Sequence, residues 1–167
     1  FQPEILAEYA KHYETGEVIP DSLVAKINNA GKFNQGFMTS ELCAASILDM
    51  KWHELTEEDL AKLSEGDQAA NVAEFEKKVC REMGLIDEII PRYHTTYFNH
   101  IFNSGYSAGY YSYLWAEVLD KDAFEYFQQQ GIYNPEVALK FRQTFLEKGG
   151  SEEPMTLYLS FRGAQPD

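Results

Sequence analysis

Basic side chains are scarce in this sequence. Its 167 residues include 14 lysines and arginines against 27 aspartates and glutamates, which gives a formal net charge of −13. Such a surface repels phosphate groups, so the composition argues against a nucleic-acid partner and against binding to anionic membranes. The charge alone does not identify a substrate.

Long apolar runs are also missing. No stretch has the uninterrupted apolar length that a bilayer-spanning helix needs, so we expect no membrane segment. The sequence begins with Phe1-Gln2-Pro3, which is not a signal sequence, and the lack of an initiator Met predicts a segment of a longer chain. With 44% apolar residues, the sequence can bury one core. We predict a single helical domain over residues 1–167.

Cysteine is nearly absent. Cys43 and Cys80 are the only two, and two cysteines in a chain of this length do not form a disulfide framework. Each lies in a stretch with a helical pattern. We expect both to be reduced, buried thiols that act as small apolar side chains.

The sequence also lacks the motifs of several enzyme classes. His53-Glu54-Leu55-Thr56-Glu57 begins like the HExxH helix of zinc peptidases, but Glu57 stands where the second histidine belongs. The spacing from His94 to His100 fits no helical or zinc-finger ligand pair, and no role is assigned to His94. There is no Gly-rich phosphate loop before a helix and no Gly-x-Ser-x-Gly. We therefore predict no metal site in this chain.

Helix signals recur from end to end, whereas strand signals are nearly absent. Thr56 and Asp59 have the spacing of a capping box, Asp67 can cap a following helix, and Asn134 precedes a proline at a first helical position. The sequence therefore predicts an all-α, multi-helical fold. The other predicted helices run from Pro3 toward Gly16, from Asp21 to Gly31, from Thr39 or Ser40 to Trp52, and from Ser151 to Gly163, with a loop over 31–36 and irregular structure over 85–99.

The most informative stretch runs from residue 100 to residue 118. Read as a helix, it places Tyr106, Tyr110 and Tyr113 at i, i+4 and i+7, on one face. A neighbouring face is apolar enough to be the core side, with Tyr111, Leu114, Trp115 and Val118. A row of hydroxyl donors on a rigid element suits the stabilisation of a developing oxyanion.

Two interpretations of these tyrosines stay open at the level of the residues. Aromatic stripes at helical spacing more often pack in a core. Against that, the turn Asn103-Ser104-Gly105 lets the ring of His100 fold back toward Tyr106. Gly105 and Gly109, four residues apart, either allow another helix to approach closely or leave room for a peptide backbone.

The same residues carry a resemblance to a known family. The segment from His100 to Glu117 resembles the Tyr-rich segment of the thimet-oligopeptidase family of zinc peptidases, and in particular its bacterial peptidyl-dipeptidase branch. The spacing from His100 to Tyr106 favours that branch. Further matches cover nearly the whole chain: Thr15-Gly-Glu-Val-Ile-Pro20, Phe33-Asn-Gln-Gly-Phe37, Leu48-Asp-Met-Lys-Trp-His53, Gly149-Gly-Ser-Glu152 and Phe161-Arg-Gly163.

The resemblance implies a fold and an activity. It implies the C-terminal part of a zincin-type, neurolysin-like catalytic region, whose parent enzyme cleaves short peptides and, in this branch, releases C-terminal dipeptides. The zinc ligands of the family lie upstream of the segment similar to residues 1–20. Zinc is therefore the expected cofactor of the full-length enzyme, and the chain alone is expected to be inactive. A bacterial cytoplasmic or periplasmic location is implied.

The resemblance also implies roles for individual residues. Tyr113, Tyr106 and His100 match residues that contact the scissile carbonyl or its oxyanion. Tyr110 matches a substrate-side tyrosine, and Gly105 and Gly109 belong to the flexible loop around it. Ser104 stands where a glycine is usual, which is expected to stiffen that loop.

The implied partners are short peptides and the missing N-terminal part of the same enzyme. An apolar surface left uncovered by that part favours self-association of the chain. The alternative from another functional class is a helical peptide-binding or scaffold domain that uses the aromatic residues without chemistry.

Overall fold

The structure, a computed structural model, describes residues 1–166 of the chain. These residues contain no β-strand and only one isolated β-bridge, between Lys11 and Val18, so the predicted all-α class is confirmed. A short 3-10 helix spans Thr95–Tyr97 and a short π-helix spans Arg142–Leu146. Nine α-helices occur in the described part: α1 (Pro3–Tyr9), α2 (Asp21–Ala30), α3 (Gln35–His53), α4 (Glu57–Leu63), α5 (Gln68–Glu82), α6 (Asn99–Asn103), α7 (Ser112–Gln130), α8 (Pro135–Phe141) and α9 (Pro154–Arg162).

The predicted helix caps form as expected. The Thr56 hydroxyl accepts a hydrogen bond from the Asp59 amide at 3.2 Å, and the Asp59 carboxylate accepts one from the Thr56 amide at 3.0 Å. These two bonds complete the capping box of α4. Asp67 accepts from the third residue of α5, and Asn134 accepts from the first turn of α8. All three caps depend on residues close in sequence, which is why the sequence revealed them.

Several predicted boundaries are wrong. The helix α3 begins at Gln35, inside the segment predicted as a loop, and α9 begins at Pro154 rather than Ser151. Proline suits a first helical position, because its φ is already helical and its missing N–H has no partner there. The helix α1 ends at Tyr9, well before Gly16, since the chain turns back there to form the bridge between Lys11 and Val18.

The chain divides into two compact units. The first comprises Phe1–Lys51 and Leu55–Phe98, and the second comprises Trp52–Glu54 and the residues from Asn99 onward. In the first unit, the buried apolar side chains come mainly from α3 and α5 and include Ala45, Leu48 and Val79.

The interior of the second unit centres on Phe161, which is fully buried. Its ring centroid lies 5.4 Å from that of Tyr126, 5.5 Å from that of Phe127 and 4.8 Å from that of Phe141. Tyr126 and Phe127 belong to α7, Phe141 to α8 and Phe161 to α9. This aromatic cluster joins the three helices of the unit that follow the tyrosine-rich stretch.

The face of α7 that was predicted to be core is exposed in this chain. Tyr111, at the N-cap, is 50% exposed, Trp115 is 47% exposed and Val118 is 38% exposed, while Leu114 is half-buried. The apolar pattern is present, but no element of the second unit covers it. The buried residue of α7 is Asp122 instead.

Both cysteines are free thiols. Cys80 on α5 is buried, and burial, together with the nearby Glu76 carboxylate, raises the pKa of its thiol. Cys43 on α3 is only half-buried, so the prediction of two buried thiols holds for Cys80 alone. None of the described helices has both the length and the apolarity needed to cross a bilayer.

Two glycines, one with positive φ and one within a helix, allow a matched test of how backbone conformation affects stability. Gly163 follows α9 with φ +80°, whereas Gly36 is the second residue of α3, and a Cβ at either position would meet no atom within 4 Å. We expect Gly163→Ala to lower the free energy of unfolding by about 1 kcal/mol, because alanine is strained at positive φ. We expect Gly36→Ala to raise it by about 0.5 kcal/mol, because alanine restricts the unfolded chain. Denaturant unfolding of the chain, followed by its helical circular dichroism signal, measures both changes. Changes of the same sign in the free energy of unfolding would contradict the different backbone conformations of Gly163 and Gly36.

Candidate functional site

The tyrosine-rich stretch is not one helix. The helix α6 ends at Asn103, residues 104–111 form a turn, and α7 starts at Ser112. Tyr106 and Tyr110 therefore lie outside any helix, and their predicted alignment with Tyr113 on one helical face is wrong. The physical reason is the backbone, because Gly105 has φ +84° and Ala108 has φ +50°. Residues with positive φ cannot continue a right-handed helix.

Serine side chains hold this turn against the end of α6. The Ser104 hydroxyl donates to the carbonyl of His100 at 2.9 Å, and the Ser107 hydroxyl donates to the carbonyl of Ile101 at 2.7 Å. The amide of Tyr106 also donates to the His100 carbonyl, at 3.1 Å. The last carbonyls of a helix lack partners within it, so these bonds satisfy groups that the end of α6 leaves open.

The turn brings four rings together, and we refer to His100, Tyr106, Tyr110 and Tyr113 as the tyrosine cluster. The rings of Tyr106 and Tyr113 are stacked, with centroids 5.4 Å apart and planes 12° apart. The centroid of Tyr110 lies 5.0 Å from that of Tyr113. His100 stands edge-on to Tyr106 at 6.1 Å and to Tyr110 at 5.6 Å. These are preferred aromatic geometries. The residues predicted from the sequence do converge, by a route that the helical spacing did not predict.

The members of the tyrosine cluster differ in accessibility. Tyr113 is 40% exposed and Tyr110 is 3% exposed, while His100 and Tyr106 are half-buried. Tyr110 therefore packs against the other rings from the protein interior. A ligand at the surface reaches Tyr113 most readily. The roles assigned to these residues from the resemblance stay predictions.

Gly105 and Gly109 do not form the close-packed face of a helix, because neither lies in one. Gly105 is favoured by its positive φ and not by a lack of space, because a Cβ there would meet nothing within 4 Å. A Cβ on Gly109 would lie 3.4 Å from the carbonyl oxygen of Tyr106, within the same turn. That distance is an ordinary van der Waals contact, so only Gly105 is favoured by the conformation of the turn, and the space that the two glycines leave for a peptide stays a prediction.

Potential metal ligands do not cluster in the described residues. His53 is the last residue of α3 and Thr56 caps α4, so the stretch from His53 to Glu57 is a helix end, a turn and a helix start. Within residues 1–166 no three histidine, cysteine, aspartate or glutamate side chains group as a metal site requires.

Sequence reasoning missed the partner of His94. Its Nδ1 lies 2.6 Å from Oε1 of Glu76 on α5, and the other oxygen of that carboxylate accepts the backbone N–H of Thr95 at 2.6 Å. The Glu76 side chain is only 10% exposed. His94 therefore attaches the segment over 85–98, which follows α5, to that helix within the first unit, and the sequence separation of the two residues hides the pair.

A second polar group that the sequence did not reveal lies in the second unit. The carboxylate of Asp122 on α7 accepts hydrogen bonds from the Tyr158 hydroxyl and from the guanidinium of Arg162, both on α9. The Asp122 side chain is 4% exposed. One sequence signal was available, because Asp122 follows Val118 by four residues and so continues the apolar side of α7.

Comparison with known proteins gives the family. The model of peptidase family M3 matches residues 1–167. The chain is 42% identical over 166 residues to dipeptidyl carboxypeptidase of Escherichia coli (strain K12), covering 98% of this chain and 23% of that protein. It is 38% identical over 166 residues to oligopeptidase A of the same organism, covering 99% of this chain and 23% of that protein. Saccharolysin of Saccharomyces cerevisiae (strain ATCC 204508 / S288c) is 29% identical over 164 residues, 96% of this chain and 22% of that protein.

These matches confirm the resemblance drawn from the tyrosine-rich stretch. The chain spans about 23% of the length of the dipeptidyl carboxypeptidase and oligopeptidase A sequences that it matches. Because the family model matches the chain from its first residue to its last, the chain belongs to peptidase family M3.

Proposed function

We propose that this chain is the C-terminal part of the catalytic region of a zinc metallopeptidase that hydrolyses short peptides and releases C-terminal dipeptides. The observation that carries the proposal is the tyrosine cluster, in which His100, Tyr106, Tyr110 and Tyr113 meet in a chain of peptidase family M3. The chain supplies side chains that contact the peptide, and the rest of the enzyme supplies the metal.

Tyr113 is the proposed donor to the oxyanion. It lies in the first turn of α7, a helix of 19 residues, and its ring stacks on Tyr106 and packs against the buried Tyr110. These contacts limit the movement of its ring, so its hydroxyl oxygen is held in place before the peptide binds. A donor that is already in place stabilises the negative charge that develops on the carbonyl oxygen at no further reorganisation cost.

His100 and Tyr106 are proposed to bind the scissile carbonyl beside Tyr113. Both are half-buried, and the edge-on packing of His100 on Tyr106 and Tyr110 holds its ring in place. Tyr110 is proposed to act on the substrate side, mainly by supporting the rings around it. Gly105 and Gly109 keep the turn free of side chains next to the cluster.

Zinc is proposed as the cofactor of the full-length enzyme, where it would polarise the scissile carbonyl and activate a water molecule. The residues of this chain do not form a zinc site by themselves, because no three potential ligands meet within residues 1–166. The ligands are therefore assigned to the part of the enzyme outside this chain.

The exposed stripe of α7, formed by Tyr111, Trp115 and Val118, is proposed to dock the missing N-terminal part of the same enzyme. Together these side chains place two half-exposed aromatic rings and one aliphatic side chain along one helix face. Large aromatic side chains in such a patch are typical of interfaces. The proposed location of the enzyme is the bacterial cytoplasm or periplasm.

Substitution of Tyr113 tests the proposed function in the full-length enzyme. Tyr113→Phe removes one donor and keeps the ring stacked on Tyr106. We expect kcat to fall roughly 100- to 1000-fold, equivalent to about 2.7–4 kcal/mol of transition-state stabilisation, while KM changes little. Steady-state kinetics on a short peptide measures this.

Tyr110→Phe is the matched control for Tyr113→Phe, because it removes a phenol from the buried member of the same cluster. We expect a milder loss that falls more on KM. If the cluster only packs, or if the chain is a scaffold domain, Tyr113→Phe lowers the melting temperature and leaves turnover per folded molecule near normal. An unchanged kcat would rule out the catalytic role.

Metal analysis tests the assignment of zinc to the rest of the enzyme. We expect the isolated 167-residue chain to retain no stoichiometric zinc after dialysis and to hydrolyse no peptide, since it groups no three ligands within residues 1–166. One tightly bound zinc per chain would contradict this assignment and would require ligands such as His94 or His100.

The docking proposal predicts the behaviour of the isolated chain in solution. We expect it to be helical, to bind a hydrophobic dye and to self-associate, because the α7 stripe is uncovered. Replacing Tyr111 and Trp115 by Ser together should weaken dye binding and shift the sedimentation coefficient toward that of a monomer. The control is Phe33→Ser, which removes an aromatic ring that is 80% exposed in the first unit. An equal effect of the control would contradict a specific role for α7.

A further inference from the structure

A buried polar network joins α7 to α9 in the second unit, away from the tyrosine cluster along the helix. The Arg162 Nε lies 3.1 Å from Oδ2 of Asp122, and its terminal nitrogen lies 3.3 Å from Oδ1. Tyr158 donates its hydroxyl to the same carboxylate. We refer to Asp122, Tyr158 and Arg162 as the α7–α9 network.

The network has a defined geometry. A guanidinium that grips both oxygens of a carboxylate fixes distance and angle at once, which a single hydrogen bond does not. Arg162 also lies over the ring of Tyr126 on α7, 5.4 Å from its centroid. Burial and the adjacent carboxylate raise the pKa of Tyr158 to about 12, so its hydroxyl stays protonated and donates through the neutral range.

Stability alone is a weak reason for such a group. Removing the charges of an aspartate and an arginine from water carries a desolvation penalty that can exceed their mutual attraction, and apolar side chains of similar size often serve equally well. Asp122 is 4% exposed and Arg162 19% exposed, so both have lost most of their hydration. Their distinctive contribution is direction, because a two-point contact between Asp122 and Arg162 favours one rotation of α7 relative to α9.

That rotation also sets the position of Tyr113. Tyr113 lies on the same helix, about two and a half turns before Asp122, and a helix is stiff over this length. A side-chain tip sits about 5–6 Å from the helix axis, so a rotation of about 10–20° moves it by about 1–2 Å. Displacement of about 1 Å at a reacting group can cost as much as roughly 100-fold in rate.

We propose that Asp122 is a positioning residue for peptide hydrolysis, which acts with Arg162 and Tyr158 to fix the rotation of α7 and thereby the place of the Tyr113 phenol. This inference rests on the proposed role of Tyr113. None of the three residues is assigned to contact the peptide.

The test uses the full-length enzyme and begins with two substitutions on α9. Tyr158→Phe removes one hydrogen-bond donor and leaves the Asp122–Arg162 pair. Arg162→Lys keeps the positive charge but cannot donate to both carboxylate oxygens in the fixed geometry of a guanidinium. We expect kcat to fall about tenfold for either variant, with KM within about twofold of the parent value. Melting curves confirm that each variant is folded at the assay temperature, and the milder Tyr158→Phe serves if Arg162→Lys does not fold.

The control is Tyr126→Phe. Tyr126 also contributes a phenol ring to the contact between α7 and α9, but its described contacts are made by the ring, which phenylalanine keeps. We expect kcat of this variant to stay within about twofold of the parent. A tenfold loss here would overturn the assignment to the network, since it would show that any change at this contact disturbs turnover.

A double-substitution cycle separates positioning from general stability. If the network acts through Tyr113, then Tyr158→Phe lowers kcat about tenfold in the parent and less than twofold in a Tyr113→Phe background. Equal losses in both backgrounds would overturn the inference, because residues that act independently have additive effects.

The cycle also distinguishes the two proposals. A large effect of Tyr113→Phe with no effect of Tyr158→Phe overturns the positioning role and leaves the proposed function standing. No effect of Tyr113→Phe overturns the catalytic role of Tyr113, and the positioning role falls with it.

Discussion

The left-handed backbone at Gly105 and Ala108 is the constraint on which the candidate site depends. Positive φ at these two residues ends α6, folds the chain back and lets α7 begin at Ser112. A continuous helix would have carried the rings of His100 and Tyr113 more than three turns apart along its axis. With the turn in place, His100 reaches Tyr106 and Tyr110, and Tyr106 stacks on Tyr113.

The sequence therefore predicted the members of the tyrosine cluster but not their backbone. The i, i+4, i+7 spacing of the tyrosines matches a helix, and that periodicity outweighed the turn signal of Asn103-Ser104-Gly105. Gly105 at least permits positive φ, whereas an alanine in that conformation leaves no mark in a sequence. The Ser104 hydroxyl donates four residues back, which is also a helical pattern, and the Ser107 hydroxyl donates six residues back, which matches no helical or strand template.

Agreement between sequence and structure elsewhere follows the range of the interaction. The caps at Thr56, Asp67 and Asn134 depend on neighbours within three residues, and all three were predicted. The partners of Asp122 lie 36 and 40 residues away and those of Glu76 18 and 19, so neither group was found. The exposed stripe of α7 is a third case, because burial of an apolar face depends on what covers it as well as on its pattern.

The helix α7 serves different purposes along its length. Its C-terminal half carries Asp122, Tyr126 and Phe127 into contacts with α9 and its neighbours, and every buried side-chain nitrogen or oxygen in the described residues has a hydrogen-bond partner. Its N-terminal half leaves Trp115 and Val118 uncovered. A helix that is held firmly in its C-terminal half can present Tyr113 at its first turn and still leave free the apolar surface at which docking is proposed. Under the proposed positioning role, docking at that surface meets a helix whose rotation is already set by α9, so Tyr113 need not be repositioned by the partner.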